Sequence, residues 1–221
     1  MTEGRLVRGT AWSGVWVLIL VILVFLIIRV GNDLEALSTG EIPPEGEFDR
    51  RYALNPALAY AHILPGVVYL LGAPLQLSRR IRNRSLRFHR TWGRIVLISG
   101  AVTGLFAIAV GIVMPFGGLA ETSAAVVFGT YFLVALALAY RAIRRGDEVS
   151  HRRWMIRAFA IGVGVGLIRI LVGIFEGTGA LEFSAAFGLS FWLAFLIMTV
   201  AAETWLRVRP HPRSVVEITV G

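Results

Sequence analysis

Apolar positions in this chain gather into long blocks instead of alternating with polar ones. Six blocks, at roughly 11–29, 56–78, 92–114, 122–143, 154–176 and 184–206, are separated by short polar segments. A helix rises 1.5 Å per residue, so about 20 residues cross the roughly 30 Å of hydrocarbon in a bilayer. The pattern predicts an all-α polytopic membrane protein, a six-helix bundle forming one integral membrane domain over residues 1–221. The first block, "VWVLILVILVFLII", follows Arg5 and Arg8 as a signal peptide would, but it is long for such a core and no clear A-x-A cleavage site follows, so it reads as an uncleaved helix. Residues 30–55, with Asp33, Glu35, Glu41, Glu45, Glu47, Asp49 and the pair Pro43 and Pro44, read as an acidic solvated connector with little regular structure, and 207–221 as a tail.

Composition agrees with the membrane class: mean hydropathy is +0.71 and only 16% of residues are charged. The net charge of +8 does not imply nucleic acid, because the basic residues sit in short loops between apolar blocks and not over a folded soluble face. All 22 basic residues are arginine, which reflects genome composition. Placing both termini in the cytoplasm puts 18 arginines inside and leaves Arg29, Arg50, Arg51 and Arg169 elsewhere, the bias that short translocated loops impose. The expected location is a bacterial inner membrane. The absence of cysteine excludes disulfides, thiolate catalysis and cysteine-ligated metals.

The chain also resembles itself. Residues 89–112 (HRTWGRIVLISGAVTGLFAIAVGI) match 151–174 (HRRWMIRAFAIGVGVGLIRILVGI) at ten of 24 positions without a gap. Gly100, Gly104 and Gly111 align with Gly162, Gly166 and Gly173. Each trio falls on one helical face, where a neighbouring backbone can come close. A duplicated two-helix hairpin, the second and third spans repeated as the fourth and fifth, is the simplest account. It is a parallel repeat about an axis along the membrane normal.

Under that repeat His89 and His151 are equivalent, at the cytoplasmic interface. In one reading Trp92 and Trp154 belong to an aromatic belt, Arg90 and Arg152 face anionic headgroups, and each histidine caps a helix start. In a second, the pseudo-twofold axis brings both imidazoles to one depth as ligands of a metal or of haem b, the arginines serving its propionates. A lipid headgroup or quinone site is a third use of the layer. Near the opposite face, His62 lies on the order of 9 Å below the end of its span, and Arg169, about 22 Å along from Trp154, reaches a similar depth. Glu176 follows seven residues later on nearly the same face. Ionisable groups in spans are costly and usually face the bundle interior with a partner. The trio is therefore a candidate ligand site, against the alternative of an Arg169–Glu176 pair that snorkels outward. Arg169 stands where the first copy has Ala107, so this site is asymmetric. Pro65 and Pro74 predict kinks near residues 61 and 70 that expose carbonyls near His62, and Gln76 is placed to reach the His89 layer.

The stretches "HILPGVVYLLGAPLQLSRRIRNRSLRFHRTWGRIVLISG" and "YRAIRRGDEVSHRRWMIRAFAIGVGVGLIRILVGI" resemble the prokaryotic membrane family labelled domain of unknown function 2306. The resemblance rests on His62, on Pro74 and Gln76, on His89 to Arg94, on His151 to Arg157 and on Arg169. Ala73 between Gly72 and Pro74, and Ile168 in place of a leucine, depart from the family pattern. The resemblance implies a multi-pass membrane protein and brings no activity with it.

Three functions fit the sequence. A membrane redox protein would use His89 and His151, with a quinone near the other cluster; a two-haem relay needs four placed histidines, and His211 in the tail is not one of them. A small-molecule carrier would use His62, Arg169 and Glu176 beside a kinked helix, as a homo-oligomer. A structural or assembly subunit would use the glycine faces to bind other membrane partners. Phosphate-binding glycine loops, HExxH and nucleophile elbows are absent. If the orientation is right, cysteines introduced at Ser85 or Asp147 are labelled by an impermeant reagent only after the membrane is opened, whereas one at Glu45 reacts in intact cells; the reverse pattern overturns it.

Overall fold

The computed structural model describes residues 3–40, 42–44 and 48–208; Glu41, Glu45, Glu47, Arg209, His211 and Arg213 fall outside them. The elements are α1 (Glu3–Thr39), α2 (Phe48–Leu54), α3 (Pro56–Leu77), α4 (Arg79–Arg84), α5 (Leu86–Val113), α6 (Gly118–Arg144), α7 (Glu148–Thr178) and α8 (Phe183–Val208). Six of them, α1, α3, α5, α6, α7 and α8, are long and apolar enough to cross a membrane. Among the described residues there is no strand.

Local chemistry sets the helix boundaries. Pro56 sits in the first turn of α3, where its missing N–H costs nothing. The Ser85 hydroxyl accepts from Phe88 N at 3.2 Å and starts α5, and the Asp147 carboxylate accepts from Ser150 N at 2.9 Å and starts α7. The Ser150 hydroxyl and, after it, this backbone N–H hold the Asp147 carboxyl below its usual range. The N-caps are thus Ser85 and Asp147, and the expectation that His89 and His151 cap their helices is corrected: each lies four residues into its helix. α7 ends at Gly179, whose φ of +63° is the left-handed cap conformation.

A second correction concerns residues 30–55. α1 continues to Thr39 and α2 is helical, because the charges read as solvated are paired with one another. Arg29 binds Asp33 one turn on and Asp49 of α2, and its guanidinium lies 4.5 Å from the Tyr52 ring centroid. Asn32 donates to Asp49 at 2.6 Å, and the Tyr60 hydroxyl of α3 donates to Asp33 at 2.7 Å. The acidic residues therefore fasten α1, α2 and α3 together.

α3 packs on α5, α5 on α6, α6 on α7, and α8 fills the groove between α6 and α7. Small residues allow these approaches: Ala135, Ala139, Ala158, Ala186 and Ala194 are all 0% exposed. Tyr69 of α3, 2% exposed, inserts between the repeat-equivalent glycines: a Cβ on Gly100 would lie 2.7 Å from one edge of its ring and a Cβ on Gly162 2.9 Å from the other. α1 docks on α7 at Gly166, where a Cβ would meet the Leu18 carbonyl oxygen at 2.4 Å. Gly173 on the same helix faces open space. A leucine at Gly166 should therefore displace α1 and lower the melting temperature in detergent by several degrees, while a leucine at Gly173 leaves it nearly unchanged; equal effects would contradict this packing.

Candidate functional site

Polar side chains carried by the spans collect at the two ends of the bundle. At the end where α2 lies, a cavity of about 670 Å³ opens among α1, α3, α5, α6, α7 and α8, and α2 contributes Asp49 and Tyr52 to its wall. His62, Arg169 and Glu176 all line it, so the structure brings the three residues to one space. Thr103, Glu121 and Arg29 join them there. About 10 Å along α3 from His62, by helical rise, the wall becomes apolar at Tyr69, and Phe132, Ile161 and Gly162 also line the cavity. α1 packs along α7 and against α2 but not along α3, and both Phe25 of α1 and Val67 of α3 line the cavity.

The position of His62 follows from the proline beside it. Pro65 lacks the N–H that would meet the Ala61 carbonyl, and its ring crowds that turn. α3 runs helical through both Pro65 and Pro74. At this turn the Thr103 hydroxyl of α5 donates to the His62 carbonyl at 2.8 Å. His62 Nδ1 lies 3.0 Å from the Thr103 carbonyl and 3.0 Å from its hydroxyl oxygen.

Arg169 is half-buried. Its guanidinium lies 5.4 Å from the Phe25 ring centroid and 5.8 Å from that of Phe187, within hydrogen-bonding range of the Tyr52 phenol and within electrostatic range of His62 and Glu121. Burial pushes the Tyr52 phenol up, with Arg169 and Arg29 opposing it. Glu121, 3% exposed, accepts from Phe116 N at 2.5 Å and Gly117 N at 2.7 Å, fixing the turn between α5 and α6. Glu176 is exposed.

Sequence reasoning missed Glu121, Thr103, Asp49 and Tyr52.

At the arginine-rich end, Gln76, His89 and Trp92 come together. A Cβ on Gly93 would lie 3.1 Å from Gln76 Oε1, and one on Gly72 3.2 Å from Trp92 Nε1. Gln76 Nε2, His89 Nδ1 and Trp92 Nε1 are buried without a partner among the described residues. Trp92 stacks on Phe88 at 6.2 Å, and Arg90 is exposed. His89 lies within electrostatic range of His151, whose Nδ1 donates to the Ala139 carbonyl at 2.9 Å, leaving His151 Nε2 as the nitrogen available to a ligand. Among the described residues no three His, Asp or Glu side chains converge as metal ligands. The rest of HRRWMIR fastens helices: Arg157 lies 4.6 Å from the Trp154 ring centroid and grips Glu203 of α8 through two bonds of 2.5 and 3.0 Å. Arg152 is half-buried.

A family model described as a predicted membrane protein (DUF2306) matches residues 59–206, about two thirds of the chain, and the chain belongs to that family. No curated protein and no solved structure matches it. Both the cavity wall from His62 to Phe195 and the Arg157–Glu203 clamp fall within the matched residues. Since Glu203→Ala leaves a half-buried guanidinium without its bidentate partner, it should destabilise the protein by about 1–3 kcal/mol in a detergent unfolding titration, and Arg157→Lys by less; wild-type stability in Glu203→Ala would show that the clamp holds nothing.

Proposed function

We propose that this membrane protein binds an amphipathic ligand within the plane of the bilayer, its polar head between His62 and Arg169 and its apolar body against Tyr69, Phe132 and Ile161. One observation carries the reading: a cavity of about 670 Å³ that is polar at the α2 end and apolar beyond. Volumes of this order are typical of small-molecule sites, where apolar walls hold the ligand and a few polar groups orient it. A cavity of this size left to water would hydrate apolar walls at unfavourable cost, so a chain entering sideways from the bilayer is the favoured filling. The conserved chemistry of a soluble catalyst is not needed for this: Arg169 and His62 orient, and the aromatic side chains Phe25 and Phe187 flank the cation.

Gly173→Leu tests this. The glycine lines the cavity and a Cβ there meets nothing within 4 Å, so leucine fills ligand space without forcing the helices apart. A sixteen-carbon lipid bearing a diazirine should cross-link to peptides containing Phe25 and Val67 in the wild type, and the yield should fall about tenfold or more in the variant at unchanged melting temperature. Undiminished cross-linking in Gly173→Leu would overturn the reading.

A further inference from the structure

The Thr103 hydroxyl has one proton, and it is committed to the His62 carbonyl at 2.8 Å. Both Thr103 oxygens that face His62 Nδ1, at 3.0 Å each, can therefore only accept. Nδ1 must carry the ring proton, which in a neutral imidazole makes Nε2 a bare acceptor. Nε2 has no partner among the described residues and is not sealed off, and His62 lines the cavity. Burial in a largely apolar wall disfavours a second cation beside Arg169. The site thus presents one fixed acceptor beside a guanidinium, whose five N–H groups exceed the needs of any one partner.

Resting on the ligand-binding reading above, we propose that the ligand is a single-chain lipid whose head is a hydroxyl, donating to His62 Nε2 and accepting from Arg169. A carboxylate or phosphate head fits less well: it would set its charge against the imidazole lone pair, and Glu121 and Glu176 in the same wall oppose a further anion. A ketone or ether oxygen can accept from Arg169 but leaves Nε2 unpaired, the case in which a site built for a hydroxyl discriminates most. A volume of about 670 Å³ is in the range of small-molecule sites and accommodates one long chain with a small head.

The test uses the purified full chain in detergent and compares hexadecanol with its methyl ether, which keeps the acceptor and loses the donor, and with palmitate. The alcohol should bind about tenfold or more tightly than either. His62→Asn, whose amide N–H can still meet the Thr103 carbonyl but which has no Nε2, should bind alcohol and ether alike. Decylhydroquinone and its dimethyl ether serve as a second pair: a hydroxyl preference in either pair supports the proposal, and the tighter pair tells an aromatic hydroquinone from an aliphatic alcohol. Equal binding of alcohol and ether by the wild type, or tighter binding of palmitate, overturns the hydroxyl head while leaving the cavity reading intact, provided Gly173→Leu weakens all probes. Probes unaffected by Gly173→Leu overturn both. The wild-type comparison decides even if His62→Asn does not fold.

Discussion

In hydrocarbon a backbone carbonyl without a donor costs several kcal/mol, so a proline in a membrane helix obliges its neighbours to respond. Pro65 of α3 removes the helical donor of the Ala61 carbonyl, and one residue on, the Thr103 hydroxyl of α5 donates to the His62 carbonyl. This bond sets the chemistry of the wall at His62. It spends the threonine's only proton, fixes the histidine tautomer, holds α3 against α5, and leaves an acceptor on the cavity wall. A serine or threonine at that place in the sequence looks like a mild interruption of an apolar span, yet it sets the chemistry of the wall.

The same rule governs the charges. Arg29, 9% exposed, is tolerable in α1 because Asp33 and Asp49 both reach it, and Arg157 is tolerable in α7 because Glu203 takes it in a forked pair. Each pair joins two consecutive helices and acts as a clamp: the first draws α2 onto α1, the second locks α7 to α8. The repeated His-Arg-x-Trp motif has split its duties accordingly. In the second copy His151 ties α7 to the end of α6 through Ala139, while in the first copy His89 Nδ1 has no partner among the described residues.

Spans were legible because hydropathy over twenty residues is a large, additive signal: each of the six predicted blocks lies inside a helix or overlaps one within a residue or two. Polarity that is neutralised by tertiary pairing was not legible. Asp33 and Asp49 look solvated until Arg29, Asn32 and Tyr60 are seen around them, so α2 and the last turns of α1 were read as loop. Glu121 was hidden at a span boundary, where an acidic residue is ordinary, although its carboxylate is buried on two backbone amides. Burial cost picks out His62 and Arg169, because an ionisable group within a span needs a reason without reference to its neighbours. That the two share a cavity wall with Glu176 depends on helix packing and is not written in any one span.

The cavity wall differs between the two stretches that align in sequence, 89–112 and 151–174. Ala107 of α5 and Arg169 of α7 are equivalent, and both line it, one apolar and one cationic. Gly111 is closed by Ala125, 2.5 Å from where its Cβ would be, while its equivalent Gly173 is open. Gly104 takes the aromatic ring of Phe132 from α6, while Gly166 takes the backbone of α1. A symmetric pair of hairpins would bury its glycine faces against each other and leave little room. Here α1 occupies one of those faces at Gly166 and props α7 on that side, so the space below Arg169 is not filled by helix packing. Arg169 of α7, Glu121 of α6 and Thr103 of α5 thus share one wall with His62 of α3, and α1 bounds it through Phe25 and Arg29.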